Sequence, residues 1–265
     1  MKSVILLASF LLMFDIVFSQ QAGEPLIPIA LVTAYDKSNQ NLLSARINPA
    51  AAMGSKRTSF LLYAENRFLV KELPFIMGAV YIPVSSWGIT VDYSRLGNFH
   101  INQSAANISI SKTVHPFVDI GLTLSASSLN TIVNASQLSF GYKVGMMFRC
   151  NKELVSGFSF KRTEFSTGNN SEFPNVEVSA GLGYSFSAVT NAALQISRAM
   201  DGDIALAGGI SLKIKDKIRI DAGYSSSNYS LFGGVTIHHR FIRLGCYFSG
   251  HPYLGISPGL MLMSP

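Results

Sequence analysis

The stretch Val176-Glu177-Val178-Ser179-Ala180-Gly181-Leu182-Gly183-Tyr184-Ser185-Phe186 decides how this chain folds. Apolar side chains hold every even position, while Glu177, Ser179, Gly181, Gly183 and Ser185 hold the odd ones. A period of two sends the two sets to opposite faces of a strand. The same alternation recurs downstream, where Ile204, Leu206, Ile210, Leu212 and Ile214 are set against Ala205, Ala207, Gly209, Ser211 and Lys213. It is cleanest upstream, where Leu138, Phe140, Tyr142, Val144, Met146 and Phe148 face one way and Ser139, Gly141, Lys143, Gly145 and Arg149 the other. One greasy face and one small, polar or charged face, repeated strand after strand, is the pattern of a transmembrane β-barrel.

Composition supports this reading. Of 265 residues, 48% are hydrophobic and only 14% are charged, well short of the roughly one quarter usual in soluble domains. A secreted β-sandwich, the soluble rival, would carry more charge on its outer faces. No apolar run beyond the amino terminus is long enough for a spanning helix, and lipid tolerates no open sheet edge, so a closed barrel is the remaining membrane solution. The net charge of +6 is spread over many strands, which is no nucleic-acid footprint, and is compatible with acidic headgroups of outer-membrane lipid as a partner. Cys150 and Cys246 lie on apolar faces and read as small hydrophobes rather than a bridge or a metal pair.

Three regions are expected. Residues 1–19 have the form of a cleaved signal peptide, with Lys2, an apolar run from Val4 to Phe14, and Val17-Phe18-Ser19 as the cleavage site. Export by that route, together with the barrel pattern, implies the bacterial outer membrane. Residues 20–56 show no clean alternation, yet Leu26, Ile27, Ile29, Leu31, Leu42 and Leu43 make them too apolar for a disordered tail. They are expected to plug the lumen or to lie in the periplasm. Residues 57–265 form the barrel, with about fourteen strands, or twelve as the alternative, each near the ten or so residues that a tilted strand needs. The early connections between the expected strands are alternately long (66–74, 95–102, 128–136, 165–174) and tight (84–85, 113–116, 150–153, 188–189), and the later ones are all short. Barrels have short periplasmic turns and longer outer loops, so the amino-terminal segment belongs on the periplasmic side. Trp87, Tyr93, Tyr184, Phe186, Tyr224 and Phe248 sit toward strand ends, as an interfacial aromatic girdle requires.

Two tracts carry a family resemblance. Ile47-Asn48-Pro49-Ala50-Ala51-Ala52, just before the first strand, resembles the Asn-Pro-Ala signature of FadL-like outer-membrane barrels. That superfamily includes long-chain fatty-acid transporters and the PorV-like proteins of the Bacteroidota type IX secretion system. His251-Pro252-Tyr253-Leu254-Gly255-Ile256-Ser257 resembles the last hairpin of the PorV-like branch. The resemblance implies an all-β barrel of fourteen strands with an amino-terminal hatch. It also implies Asn48, Pro49 and Ala50 as the hatch motif, and His251, Pro252 and Gly255 as the closing hairpin. The chain departs from the pattern in its short outer loops and in ending on Leu262-Met263-Ser264-Pro265 without a terminal aromatic.

No catalytic constellation stands out. His238-His239, with Ser230 and Asp221 nearby, is the one grouping to weigh, and headgroup-level histidines beside Arg240 explain it more simply. No Gly-x-Ser-x-Gly elbow or His-Glu-x-x-His spacing occurs, so no enzyme activity, metal or cofactor is expected. The inward set contains Asp92, Asp119, Lys143, Arg149, Lys161, Glu177, Lys213, Arg219, Asp221 and Arg243. These are expected either to select solutes or to tie wall and plug together by ion pairs. With the closing tract and short loops, the expected role is a non-enzymatic partner subunit of a larger outer-membrane secretion or assembly complex. The alternative is passive transport of small hydrophobic compounds.

Overall fold

The computed structural model describes residues 29–36, 40–55, 57–99, 101–130, 137–165, 175–200, 202–215, 217–227 and 230–264. The expected signal segment 1–19 and the first part of the expected plug (20–28) lie outside these residues. Among the described residues no helix is long and apolar enough to cross a membrane.

Fourteen antiparallel strands close into one barrel. They are β1 (Ser59–Asn66), β2 (Pro74–Val84), β3 (Trp87–Gly97), β4 (Asn102–His115), β5 (Val118–Asn130), β6 (Gln137–Arg149) and β7 (Leu154–Phe165). They continue as β8 (Asn175–Ser185), β9 (Thr190–Ala199), β10 (Ile204–Ile214), β11 (Ile218–Ser225), β12 (Ser230–His239), β13 (Ile242–His251) and β14 (Gly255–Met263). Each strand pairs with its sequence neighbours, and β1 closes the ring on β14 with Leu61 opposite Met263 and Glu65 opposite Gly259. Closure continues past the last strand, because Ser264 N donates to Phe60 O at 3.0 Å and Phe60 N donates to Ser264 Oγ at 2.9 Å. A closed ring leaves no unpaired edge, the condition for lying in lipid. The twelve-strand alternative is excluded.

The outer face is the apolar half of each alternation. Ile76, Val91, Ile108, Leu124, Phe140, Leu194, Ile210 and Leu260 are all exposed on it. The six girdle aromatics are exposed too. At one rim, the Lys112 ammonium lies 4.4 Å from the centre of the Trp87 ring, on the residue directly across the β3–β4 pair. Such cation–ring contacts suit the boundary where apolar wall meets headgroups.

In Phe60-Leu61-Leu62-Tyr63, where residue polarity does not alternate, the backbone still does: Leu61 is 0% exposed and Leu62 is 53% exposed. Both faces of β1 are apolar because its inner face meets an apolar part of the lumen. Among the described residues, the segment before β1 forms a helix at Ile29–Ala34, a single turn at Ser44–Ile47 and a 3-10 helix at Pro49–Gly54. Its side chains from Ala30 to Asp36 and most from Asn41 to Ala52 are buried inside the ring. We refer to it as the hatch.

A barrel of this type obeys a depth rule for charge on its outer wall. Ile210→Arg, midway along β10 and facing lipid, is expected to destabilise the folded barrel by about 2–4 kcal/mol. Reversible urea titration in lipid vesicles would measure this, and an unchanged midpoint would contradict the assigned outer face.

Candidate functional site

The site is the lumen and the hatch within it. Pro49 biases the residue before it away from helix, and Asn48 is indeed extended at φ −141°, ψ 118°. In that conformation its carboxamide works in both directions. Oδ1 accepts from Ala50 N at 3.0 Å, capping the 3-10 helix, while Nδ2 donates to the wall carbonyls of Met146 at 3.0 Å and Phe158 at 3.1 Å. Aspartate has no amide proton to donate and serine cannot reach both walls, so asparagine is the residue that caps and anchors at once. Pro49 stands at the first helical position, where its missing N–H is not needed.

The wall opposite is cut down to glycine. A Cβ on Gly145 would lie 2.1 Å from Asn48 Oδ1, and one on Gly121 would lie 2.6 Å from Ala50 N. On Gly183 it would lie 1.9 Å from the backbone oxygen of Tyr35. These positions are linked across the sheet: Gly121 faces Gly145 on β5–β6, and Gly157 faces Gly181 on β7–β8. The Tyr35 ring rests on Gly157 and Gly181. A track of small residues thus lets the hatch backbone approach the wall closely.

Polar ties complete the grip. Arg46 donates from Nε to Asp92 at 3.1 Å and from Nη2 to Ser94 at 2.8 Å, and Asn107 Nδ2 donates to the other Asp92 oxygen at 2.6 Å. Lys143 Nζ donates to Arg46 O at 2.6 Å. Across the lumen, Arg219 binds Asp221 at 2.7 Å and reaches Asp36 of the hatch at 4.0 Å. Arg149 pairs with Asp119, which also accepts from Thr113 at 2.6 Å. Lys161 and Glu177 stand directly opposite one another on β7 and β8, Lys213 is opposite Arg219, and Arg243 is opposite both His238 and Met263. The ten charges therefore do not form one ring. Asp92, Lys143 and Arg219 engage the hatch, whereas Asp119 and Arg149 join wall to wall.

His238 is opposite Arg243, whereas Ser249 and Gly250 pair with Phe232 and Leu231 at the far end of β12. Ser230 likewise lies at the opposite end of β12 from His238, so the triad-like grouping is not assembled. In the closing hairpin, His251 Nδ1 accepts from Tyr253 N and Leu254 N at 3.2 Å each, and Gly255 adopts φ +94°. The hairpin also meets the turn after β1, where Phe68 N donates to Ser257 Oγ at 2.9 Å and the Phe68 and His251 rings lie 6.0 Å apart.

One feature of the lumen was not anticipated. The inner faces of β14, β1 and β2 are apolar: Leu61, Tyr63, Phe75, Met77, Met261 and Met263 are all at most 4% exposed. With Leu31, Leu42 and Leu43 of the hatch they belong to one continuous apolar cluster. The signal for it was present in the lost alternation at 60–63 and in Met261-Leu262-Met263.

No protein-family model matches the sequence, and no curated protein matches it. Solved structures do resemble the fold. The Pseudomonas putida toluene transporter TodX superposes with a TM-score of 0.64 at 10% identity, over 94% of this chain and 98% of that one. The Ralstonia pickettii toluene transporter TbuX gives 0.62 at 8% identity over 91% and 97%. A Pseudomonas aeruginosa FadL homologue gives 0.58 at 9% identity over 85% and 93%. The architecture is thus that of FadL-like outer-membrane barrels. The expectation of a PorV-like partner subunit of a secretion machine is corrected by these matches, which are transport channels, and nothing in them supports the type IX or Bacteroidota assignment. Physically, His251, Pro252 and Gly255 are accounted for by turn formation alone, so that tract carries no information about a branch.

The hatch contacts can be tested directly. Asn48→Ala removes a cap and two buried hydrogen bonds, together worth about 2–3 kcal/mol, and Gly183→Ala drives a Cβ into the Tyr35 carbonyl. Both are expected to leave the ring folded but to expose Arg46 to trypsin in detergent micelles. Cleavage at the wild-type rate would show that these contacts do not hold the hatch.

Proposed function

We propose that this barrel is a passive conduit for small hydrophobic compounds across the outer membrane. The observation that carries the reading is the apolar stripe on the inner wall of β14, β1 and β2. A water-filled porin has a polar interior throughout. A lumen that devotes three adjacent strands to Leu61, Phe75, Met77, Met261 and their neighbours gives an apolar solute a surface along its route once the hatch leucines that cover it give way, as apolar pockets do for such ligands. Methionine suits that task, because its flexible, polarizable side chain re-packs around varied shapes.

The hatch fits the same role. It packs on the stripe through Leu31, Leu42 and Leu43, and its hold on the rest of the wall is through close contacts and hydrogen bonds rather than a covalent link. A plug of this kind keeps water and polar solutes out while apolar compounds partition along the stripe. The names of the similar structures, toluene transporters and a monoaromatic hydrocarbon channel, lend support from chemistry of the same class.

The test is uptake of radiolabelled toluene by cells that lack other hydrocarbon channels. Producing this barrel is expected to accelerate uptake over a vector control. Met77→Asp, which places a carboxylate on the stripe, is expected to lower the accelerated part about tenfold or more. Folding of each variant is checked by the different gel mobility of unheated and boiled samples. Uptake equal to the control, from cells with folded barrel, would sink the reading.

A further inference from the structure

The outer wall of the barrel carries little charge, and most of what it carries stands at one end. Parity turns Arg95 of β3, Arg162 and Glu164 of β7 and Arg198 of β9 outward, in step with the lipid-facing Val91, Phe158 and Leu194 of the same strands. Among the described residues these are the charged side chains on outward strand positions at the end where long connections join β5 to β6 and β7 to β8. Three of the four are arginines. Long connections mark the outer end of a barrel of this kind. The arginines therefore stand at the depth of the outer leaflet's headgroups.

Two of them flank a single strand. Arg162 is directly opposite Val176 on β8, and Arg198 is directly opposite Val178 of the same strand. Two strand spacings, about 10 Å, separate them across the sheet. On the other side of Arg162 stands Tyr142 of β6, whose ring lies 6.2 Å from that of Phe160. Toward the middle of the wall the surface continues as exposed Phe158, Leu182 and Ile196. A pair of cations at the rim thus stands over an apolar slope.

Neither guanidinium is held firmly by the protein. Arg162 pairs with Glu164 at 2.7 Å, but the two side chains are 41% and 62% exposed, and pairs in the open hold weakly. Arg198 is exposed and forms no ion pair among the described residues. With Glu164 counted, the group keeps an excess of one positive charge. The outer leaflet of a bacterial outer membrane is built of glycolipid whose sugar headgroup bears phosphates. A guanidinium offers paired donors that match phosphate oxygens, which a rim of neutral side chains would not.

We propose that Arg162 and Arg198, on either side of β8, bind a phosphate of an outer-leaflet phosphorylated glycolipid, whose acyl chains lie on Phe158, Leu182 and Ile196. The site is outside the ring and is independent of what passes through the lumen. At the opposite, tight-turn end the outward cation is Lys112, which rests on the Trp87 ring at 4.4 Å and has no second cation across a neighbouring strand.

The experiment is native mass spectrometry of the purified full chain, released from neutral detergent micelles after titration with diphosphoryl lipid A and, separately, with phosphatidylglycerol. Wild type is expected to retain lipid A, and the double variant Arg162→Gln with Arg198→Gln to weaken it about tenfold or more. Lys112→Gln is expected to leave it unchanged. Each variant is first shown to be folded by heat-dependent gel mobility; should the double variant fail that check, Arg198→Gln alone interrogates the same site. Equal retention of lipid A by wild type and the folded variant overturns the site, as does an absence of lipid A binding by wild type. An equal loss in Lys112→Gln overturns it too, since the attraction would then belong to the overall charge. Phosphatidylglycerol held as tightly, with the same dependence on the two arginines, overturns the assignment to the glycolipid.

Discussion

Lipid offers no hydrogen-bond partner to a backbone amide, and nearly every feature of this molecule follows from that constraint. The pairing of β1 with β14 satisfies it, since without that ladder the ring would present two bare edges to hydrocarbon. Closure forces the strand alternation to become an inside and an outside. It puts the polar halves of the strands into a lumen, and it places the start of β1 and the end of β14 at the same end of an even-numbered barrel. The hatch precedes β1 and has nowhere to bury its leucines except inside the ring.

Inside, the wall is differentiated. From β5 to β8 it is reduced to glycine where Asn48, Pro49 and Tyr35 approach it, so that backbone meets backbone. Elsewhere the grip is electrostatic, through Arg46 with Asp92 and Arg219 with Asp36. From β14 through β2 the wall is instead apolar and fuses with the hatch into one cluster. The plug is thus seated by close backbone contact and ion pairs on one side and by apolar packing on the other. This division also explains why the charges are grouped: each group serves a local contact rather than a continuous polar channel.

The same fold supports unrelated roles, so function must be argued from the site. The closing hairpin suggested a partner subunit, but its histidine, proline and glycine prove to be doing the work of a turn: His251 accepts two backbone N–H groups and Gly255 takes a positive φ. The inner stripe is harder to explain by folding alone. A barrel filled by a plug could be stabilised by polar ties throughout, as it is on the β3 side.

Strand number and strand positions were legible in the amino-acid sequence, because a period of two is a local property that survives any register, and turns must fall where it breaks. The Asn48-Pro49-Ala50 tract could be singled out, though not its two wall carbonyls on β6 and β7, which lie roughly a hundred residues away along the chain. Which inward charges meet was likewise undetermined. Parity assigns Arg219 and Arg243 to the lumen, but only strand register sets one beside Lys213 and the other beside His238 and Met263. The apolar stripe was hidden for a related reason: with both faces of β1 greasy, alternation cannot say which residues point inward, and only closure onto β14 decides it. Local periodicity determined the wall; long-range pairing decided what the wall encloses.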